Sequence, residues 1–133
     1  MNPRLERLHA YPFERLARLT AGGESFDLCL ANFLDQFYGA PAASAISQAP
    51  ELLAPRLGGP GRVQDAYLAA TAEHLASVYQ FPVSAWVVDD ARKLHRPWFA
   101  SELAALRAVL LLESPPAFRA RNLFVSENAL TRV

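Results

Sequence analysis

The chain has 133 residues, of which 52% are hydrophobic and 20% are charged, and its formal net charge at pH 7 is zero. This profile fits one compact globular domain over residues 1–133 and excludes a disordered chain. The longest apolar run, Ala108 to Leu112, falls far short of the roughly 20 residues that cross a bilayer. The opening "MNPRLERLHAYPFERL" lacks the apolar core of a secretory signal. We therefore expect a cytoplasmic protein with no membrane partner.

The first segment predicts two short helices on either side of Pro12. Whether Pro12 begins the second helix or kinks a continuous one stays open at this point. The pattern ends at Gly22–Gly23, which favours a helix stop. The apolar stripe of this segment consists of Leu5, Leu8, Phe13, Leu16 and Leu19.

The next segment, "SFDLCLANFLDQFYG", predicts a helix with one face in the core. Its apolar residues recur at the i, i+3, i+4, i+7 spacing of a helix face, and Ser25 can cap the N-terminus while Gly39 can close the C-terminus. The only cysteine of the chain lies on this face, which predicts a buried thiol and excludes an internal disulfide. The stripe consists of Phe26, Cys29, Leu30, Phe33, Leu34 and Phe37.

Residues 40–62 are rich in Ala, Pro and Gly and predict a loop, with at most one helical turn at "PELL". "PRLGGPG" in particular has the composition of a loop. A helix then follows from about Val63 to Tyr79, and Gln80-Phe81-Pro82 ends it. Small residues dominate this helix, which favours close approach of its neighbours.

The pattern of Val83–Val88 fits a short strand or one helical turn. Because a lone strand would have no pairing partner, we favour an extended loop with a short helix, followed by a turn that Asp90 caps. A further helix is expected from Ser101 and Glu102 to about Leu112. Its expected core face consists of Leu103, Leu106, Val109 and Leu110.

The C-terminal stretch "ESPPAFRARNLFVSENAL" predicts two more short helices. Ser114 is a candidate N-cap with Pro115 at the first helical position, and Ser126 could begin a last helix that ends at Thr131. Phe118, Leu123 and Phe124 are expected in the core. Together these patterns predict an all-α domain of about five to seven helices.

The sequence offers no catalytic, cofactor or metal motif. Its three histidines, His9, His74 and His95, are far apart, and no paired metal-ligand spacing occurs. The adjacent acids Asp89 and Asp90 would point apart, so a capping role is favoured over a catalytic pair. A small-ligand or enzyme pocket near His95 and these acids remains an alternative. "GGPGR" lacks the Lys-Ser/Thr that a phosphate-binding loop needs.

Two segments combine arginine with large aromatic residues: "RKLHRPWF" (92–99) and "FRARNLF" (118–124). Because Trp and Arg are frequent energetic anchors of protein interfaces, the candidate partner-binding residues are Arg96, Trp98, Arg119 and Arg121. The competing interpretation is structural: Trp98 would fill the core, and the arginines would bond helix ends or nearby acids.

The charge distribution allows the same two interpretations. Residues 1–20 hold four arginines against two acids (+2), residues 21–90 hold two basic residues against eight acids (−6), and residues 91–133 hold seven basic residues against three acids (+4). Either the protein presents faces of opposite charge to a partner, or the basic ends pair with the acidic middle inside the fold. The excess of arginine, 12 against one lysine, is typical of a GC-rich genome.

Three segments in order, "DAYLAATAEHLA", "PVSAWVVDDARKLHRPWF" and "ALRAVLLLESPPAFRARNLFVSENALTR", resemble a family of small bacterial proteins from high-GC genomes, mostly of unassigned function. The family's C-terminal signature, ESPxAFRxRxLFVSxNALxR, matches Glu113 to Arg132. The resemblance covers about residues 63–132. Some members follow a helix-turn-helix domain or are encoded beside a nucleotidyltransferase, which is typical of antitoxin or regulator components of two-gene systems. The first 62 residues of this chain lack the helix-turn-helix pattern, so the resemblance implies partner binding and no catalytic residue.

We therefore expect a non-enzymatic protein-interaction module, antitoxin-like or regulatory, that binds a protein partner or itself. A regulator linked to nucleic acid is the second expectation, although zero net charge and the lack of a basic helix argue against direct duplex binding. A small-ligand binder or enzyme with a pocket near His95 is the third.

Overall fold

The computed structural model describes residues 12–132, which are mostly helical and confirm the all-α class. The predicted positions Leu5, Leu8 and His9 lie outside these residues. Seven α-helices occur in the described part: α1 (Phe13–Ala21), α2 (Phe26–Gly39), α3 (Ser44–Ser47), α4 (Ala54–Leu57), α5 (Gly59–Tyr79), α6 (Ala104–Glu113) and α7 (Pro116–Arg119). Two 3-10 helices, Ala85–Val88 and Asp90–Arg92, and two strands, β1 (Trp98–Phe99) and β2 (Leu123–Phe124), complete the order. Within residues 12–132, no helix is both long and apolar enough to span a bilayer.

The first two helices form as the sequence predicts. Pro12 precedes α1 in an extended conformation, so it begins this helix and does not kink it. At α2, the Ser25 hydroxyl accepts a hydrogen bond from the Leu28 N–H at 3.3 Å, which is the predicted N-cap. The helix stripe is buried except for Phe26, which is half-buried, and the rings of Phe13 and Phe33 lie 4.4 Å apart.

Helix α5 runs through the centre of the fold and begins at Gly59, four residues before the predicted start. The predicted loop "PRLGGPG" was therefore wrong: it contains α4 and the first turn of α5, joined at Gly58 with a φ of 66°. Pro60 suits the first helical turn because no N–H is needed there. A Cβ on Gly61 would lie 2.5 Å from the Leu53 carbonyl oxygen, so the close corner between α4 and α5 requires glycine.

The C-terminal third is held together by a short parallel ladder that the sequence did not predict. Trp98 pairs with Leu123 and Phe99 with Phe124. Ser114 is not an N-cap, because α7 begins at Pro116 and Pro115 precedes it. Its hydroxyl donates to the Leu123 carbonyl at 2.8 Å and accepts from the Val125 N–H at 3.3 Å, on the edge of β2 that faces away from β1.

The expected last helix at Ser126 is a turn, closed by the Ala129 N–H donating to the Ser126 carbonyl at 3.0 Å. The segment 83–88 forms a 3-10 helix after extended residues, as favoured from the sequence. The cap of the following turn is Asp89, one residue earlier than expected, since its carboxylate accepts from the Ala91 N–H at 2.9 Å.

Ion pairs join the basic C-terminal third to the acidic middle of the chain. Arg121 pairs with Glu73 at 2.8 Å and Arg132 with Asp35 at 2.9 Å. Arg92 lies 3.7 Å from Asp65. Much of the uneven charge along the sequence is thus neutralised inside the fold.

Candidate interaction surface

An open groove of about 820 Å³ lies where the N-termini of α2 and α5 meet the strand pair. We call it the Trp98 groove. Trp98 lines it from β1 and is half-buried. The Trp98 N–H donates to the Asn122 carbonyl at 2.8 Å and so holds β1 to the C-terminal segment. The lining residues are Ser25, Phe26, Asp27, Gly59, Pro60, Val63, Gln64, Tyr67, Trp98, Ala100, Val125, Ser126 and Ala129.

The groove combines aromatic walls with isolated polar groups. The ring of Phe26 meets that of Tyr67 edge-on with centroids 6.0 Å apart, and Tyr67 in turn packs against Phe118 at 4.9 Å. Burial, with the nearby Asp27 carboxylate, raises the pKa of Tyr67 to about 12, so its hydroxyl stays protonated. The Oε1 atom of Gln64 is buried and accepts no hydrogen bond within the described protein. An apolar wall with a few polar atoms is the usual chemistry of a recognition site.

A second feature lies next to the groove: helix α6 leaves its apolar residues in solvent. Only Leu110 is buried, at 7% exposure, because α6 packs on β2 along one narrow line. Leu112 is 82% exposed and Leu103 is 66% exposed. Of the four residues that the sequence places on one face of this helix, Leu103, Leu106 and Val109 are exposed.

The groove and α6 form one continuous surface. Phe99 of β1 stacks on Phe124 of β2 with ring centroids 5.2 Å apart, and the Arg107 guanidinium of α6 lies over the Phe99 ring at 5.2 Å. A shallow cleft lined by Trp98, Phe99, Ala100 and Arg107 runs between them and shares Trp98 and Ala100 with the groove. We use the term interaction surface for the Trp98 groove, this cleft and α6 together.

The four candidate partner-binding residues differ in how exposed they are in the structure. Trp98 lines the groove, and Arg96 is exposed. Arg119 is also exposed, although its Nη2 atom donates to the Ser114 carbonyl at 2.7 Å. Arg121 is only 5% exposed.

Arg121 is occupied inside the protein. Its Nη1 atom donates to Glu73 Oε2 at 2.8 Å and to the Ala117 carbonyl at 2.7 Å, while Nη2 donates to the Val87 carbonyl at 2.7 Å. The guanidinium thus ties α5, α7 and the first 3-10 helix together. For this residue the structural interpretation holds, and it is unavailable as a surface anchor.

A second buried arginine, Arg92, carries a polar cluster that sequence reasoning missed. It donates to the Pro50 carbonyl, lies over the Trp86 ring at 4.9 Å and approaches Asp65. Asp65 accepts from the Leu53 N–H at 2.7 Å and the Ala54 N–H at 3.0 Å.

Burial raises the pKa of Asp65, and its two backbone donors and Arg92 act in the opposite direction. Burial likewise lowers the pKa of Arg92, against which the Asp65 and Asp89 carboxylates act. The two hydrogen bonds that the Asp65 carboxylate accepts, with the Arg92 guanidinium 3.7 Å away, favour its ionised form. This cluster clamps the α4 corner onto α5 and the second 3-10 helix.

The alternative pocket near His95 is not assembled as expected. Asp89, Asp90 and His95 are exposed, and Asp90 pairs with Lys93 at 3.2 Å on the surface. Asp89 lines a cavity of about 210 Å³ together with Glu73 and Arg121, without His95. Among residues 12–132, no three His, Cys, Asp or Glu side chains come together in a way that could hold a metal ion.

Comparison with known proteins gives no relative for this chain. No protein-family model, no curated protein and no solved structure matches it.

Proposed function

We propose that this protein is a non-enzymatic protein-interaction module that binds a segment of a partner polypeptide in the Trp98 groove. The observation that carries the proposal is the groove itself: a concave, partly open site of about 820 Å³ whose walls include aromatic side chains. An open groove suits an extended or helical polypeptide segment, because such a segment can enter and leave it without threading.

The chemistry of the groove supports a polypeptide. Phe26, Tyr67 and Trp98 offer contact to apolar or aromatic side chains, which supply most of the energy of protein interfaces. Gln64 also lines the groove and adds a polar side chain to this otherwise largely apolar wall. Of the arginines predicted as anchors, Arg96 and Arg119 are exposed to solvent and so remain available for contact with a partner.

The resemblance of residues 63–132 extends the proposal to an antitoxin-like or regulatory component of a two-gene bacterial system. In that setting the bound segment belongs to the protein encoded next to it. This part of the proposal rests on the resemblance alone.

The proposal is tested by capture from the native host with the tagged protein and two variants. Ala100→Glu places a larger charged side chain in the groove at an exposed position whose backbone bonding is retained. Ala49→Glu makes the same change at an exposed alanine outside the groove and serves as the matched control. We expect the wild type and Ala49→Glu to retain one common polypeptide that Ala100→Glu loses, with all three proteins equally folded by circular dichroism.

Retention of the same polypeptide by all three proteins would contradict the groove as the binding site. Arg119→Glu is then informative, because it tests the exposed arginine without disturbing the core. Arg121→Glu is unsuitable, since it would leave Glu73 facing a second carboxylate inside the fold.

A small-ligand site in the same groove is the second candidate, because 820 Å³ lies within the range of known ligand cavities, about 300–1,000 Å³. Native mass spectrometry of the protein purified from its host distinguishes the two. An added mass of a few hundred daltons that Ala100→Glu lacks would favour the small ligand.

A further inference from the structure

Helix α6 has a continuous seam that no other part of residues 12–132 covers. At 100° per residue, the positions opposite the buried Leu110 are Ala105, Ala108 and Leu112, with Val109 beside them. All four are exposed. The two charged residues of the helix, Arg107 and Glu113, lie away from this seam, and Arg107 is engaged with Phe99. A charged partner would therefore find nothing to pair with along it.

The side chains of this seam are small at its N-terminal end and larger at its C-terminal end. Its N-terminal half carries Ala105 and Ala108, and its C-terminal half carries Val109 and Leu112. A second α6 that runs antiparallel places each large residue against a small one: Ala105 faces Leu112 of the other copy, and Ala108 faces Val109. Because the relation is two-fold, each of these contacts occurs twice. Alanine at the crossing also lets two helices approach to about 8 Å.

The available area and charge suit self-association. The residues facing away from Leu110, which are Ala104, Ala105, Ala108, Val109, Leu111 and Leu112, present on the order of 500 Å² per chain. Complete burial of these residues in both copies would remove at most on the order of 1,000 Å² from solvent, which is the lower limit for a biological interface. The formal net charge of the chain is zero, so no long-range repulsion opposes the pairing of two copies.

We propose that α6 is the self-association face of this protein and pairs antiparallel with α6 of a second copy. The four seam residues of α6 are not among the residues that line the Trp98 groove. The inference therefore uses a different part of the interaction surface from the proposed function, and each can fail without the other.

Cysteine cross-linking tests the orientation directly. The native cysteine, Cys29, is 3% exposed, so an introduced surface cysteine provides the accessible thiol. We expect a mixture of the Ala105→Cys and Leu112→Cys proteins to give a disulfide-linked dimer under mild oxidation, while each protein alone gives little. Ala108→Cys, next to the two-fold axis, should cross-link by itself.

The mass in solution gives an independent readout. Light scattering of the wild type at micromolar concentration should report twice the 14.6 kDa chain mass. Ala108→Glu should raise the dissociation constant at least tenfold without loss of helicity. Leu103→Glu is the matched control, because Leu103 is exposed but lies on the other side of the helix, and it should remain dimeric.

Either of two results would overturn the inference. A monomer at every concentration would show that α6 does not pair with itself. Cross-linking of Leu112→Cys alone, with no preference for the mixture, would exclude the antiparallel arrangement.

Discussion

The interior of this protein holds arginines, while one of its helices holds leucines in solvent. Arg92 and Arg121 are 4% and 5% exposed, whereas Leu112 of α6 is 82% exposed. The Arg121 guanidinium donates to two backbone carbonyls and to Glu73, and the Arg92 guanidinium donates to the Pro50 carbonyl and lies near Asp65. The leucines of α6 lack an opposing element within residues 12–132. Burial here follows the availability of partners and not the polarity of the side chain alone.

The two regions therefore have different roles: one stabilises the fold, and the other is exposed for contacts between molecules. The arginine-centred region connects segments that are far apart in sequence, and its removal should unfold the protein. The α6 region contributes one buried leucine to the fold, and its remaining apolar residues are free for intermolecular contacts. Four predictions test this division.

The largest loss of unfolding free energy is expected for Asp65→Ala. This variant removes the carboxylate that lies 3.7 Å from the buried Arg92 guanidinium, and it also removes the acceptor of the Leu53 and Ala54 N–H groups. Loss of one member of a buried ion pair costs about 3–5 kcal/mol of unfolding free energy, measurable by chemical denaturation. Asp35→Ala breaks the exposed pair with Arg132 and serves as the control, with a much smaller change. Equal losses in the two variants would contradict the structural role of the buried cluster.

The second-largest loss of unfolding free energy is expected for Leu110→Ala, which we compare with Leu112→Ala in the same helix. Leu110→Ala removes the buried contact of α6 and should cost about 2–3 kcal/mol, near the low end for a buried leucine. Leu112→Ala should leave the stability nearly unchanged, because its side chain already contacts water. Both are best measured in the monomeric Ala108→Glu background, so that dimer dissociation does not contribute. Comparable losses would mean that Leu112 is buried in the folded monomer.

A smaller loss of stability is expected for a substitution at the corner between α4 and α5, next to Asp65. Gly61→Ala forces its new Cβ against the Leu53 carbonyl at 2.5 Å, and the backbone must shift, at a cost of about 1–3 kcal/mol. Gly59→Ala lies in the same helical turn and meets nothing within 4 Å, so it should be neutral or stabilising. Thermal denaturation of both variants checks the contrast, and a stable Gly61→Ala protein would show that the corner is loose.

The smallest effect is a pH dependence from His74. Burial lowers the pKa of His74 below its usual 6.5, so the folded state binds this proton less well than the unfolded state. The unfolding free energy should therefore fall as the pH drops below about 6.5, and it should be independent of His74 above that pH. His74→Gln should flatten the melting temperature between pH 8 and 5.5. An unchanged profile in this variant would assign the dependence to other groups.

The sequence predicted those elements that depend on residues close together in the chain. The phenylalanine stripe of α2 and its Ser25 cap follow from spacing and from a single side chain, and both are present in the structure. The beginning of α5 was missed because Gly-Pro-Gly has loop composition. The requirement for Gly61 comes from a carbonyl in α4, which no local pattern reveals.

The site was predicted only in part, for the same reason. Trp98 was identified from residue type, and it does line the groove. The role of Arg121 could not be decided, since two of its acceptors lie 34 and 48 residues away in sequence. The apolar face of α6 was recognised as a face, but a helical pattern does not say whether the opposing surface belongs to the same chain.

The Ser114 hydroxyl determines how copies of this protein can aggregate. By bonding Leu123 and Val125 it occupies the outer edge of β2, where an added strand would otherwise find a free donor and acceptor. The two-strand ladder therefore cannot grow past β2 into an extended sheet. An approaching strand would have to displace the Ser114 hydroxyl from these two backbone groups before it could pair with β2.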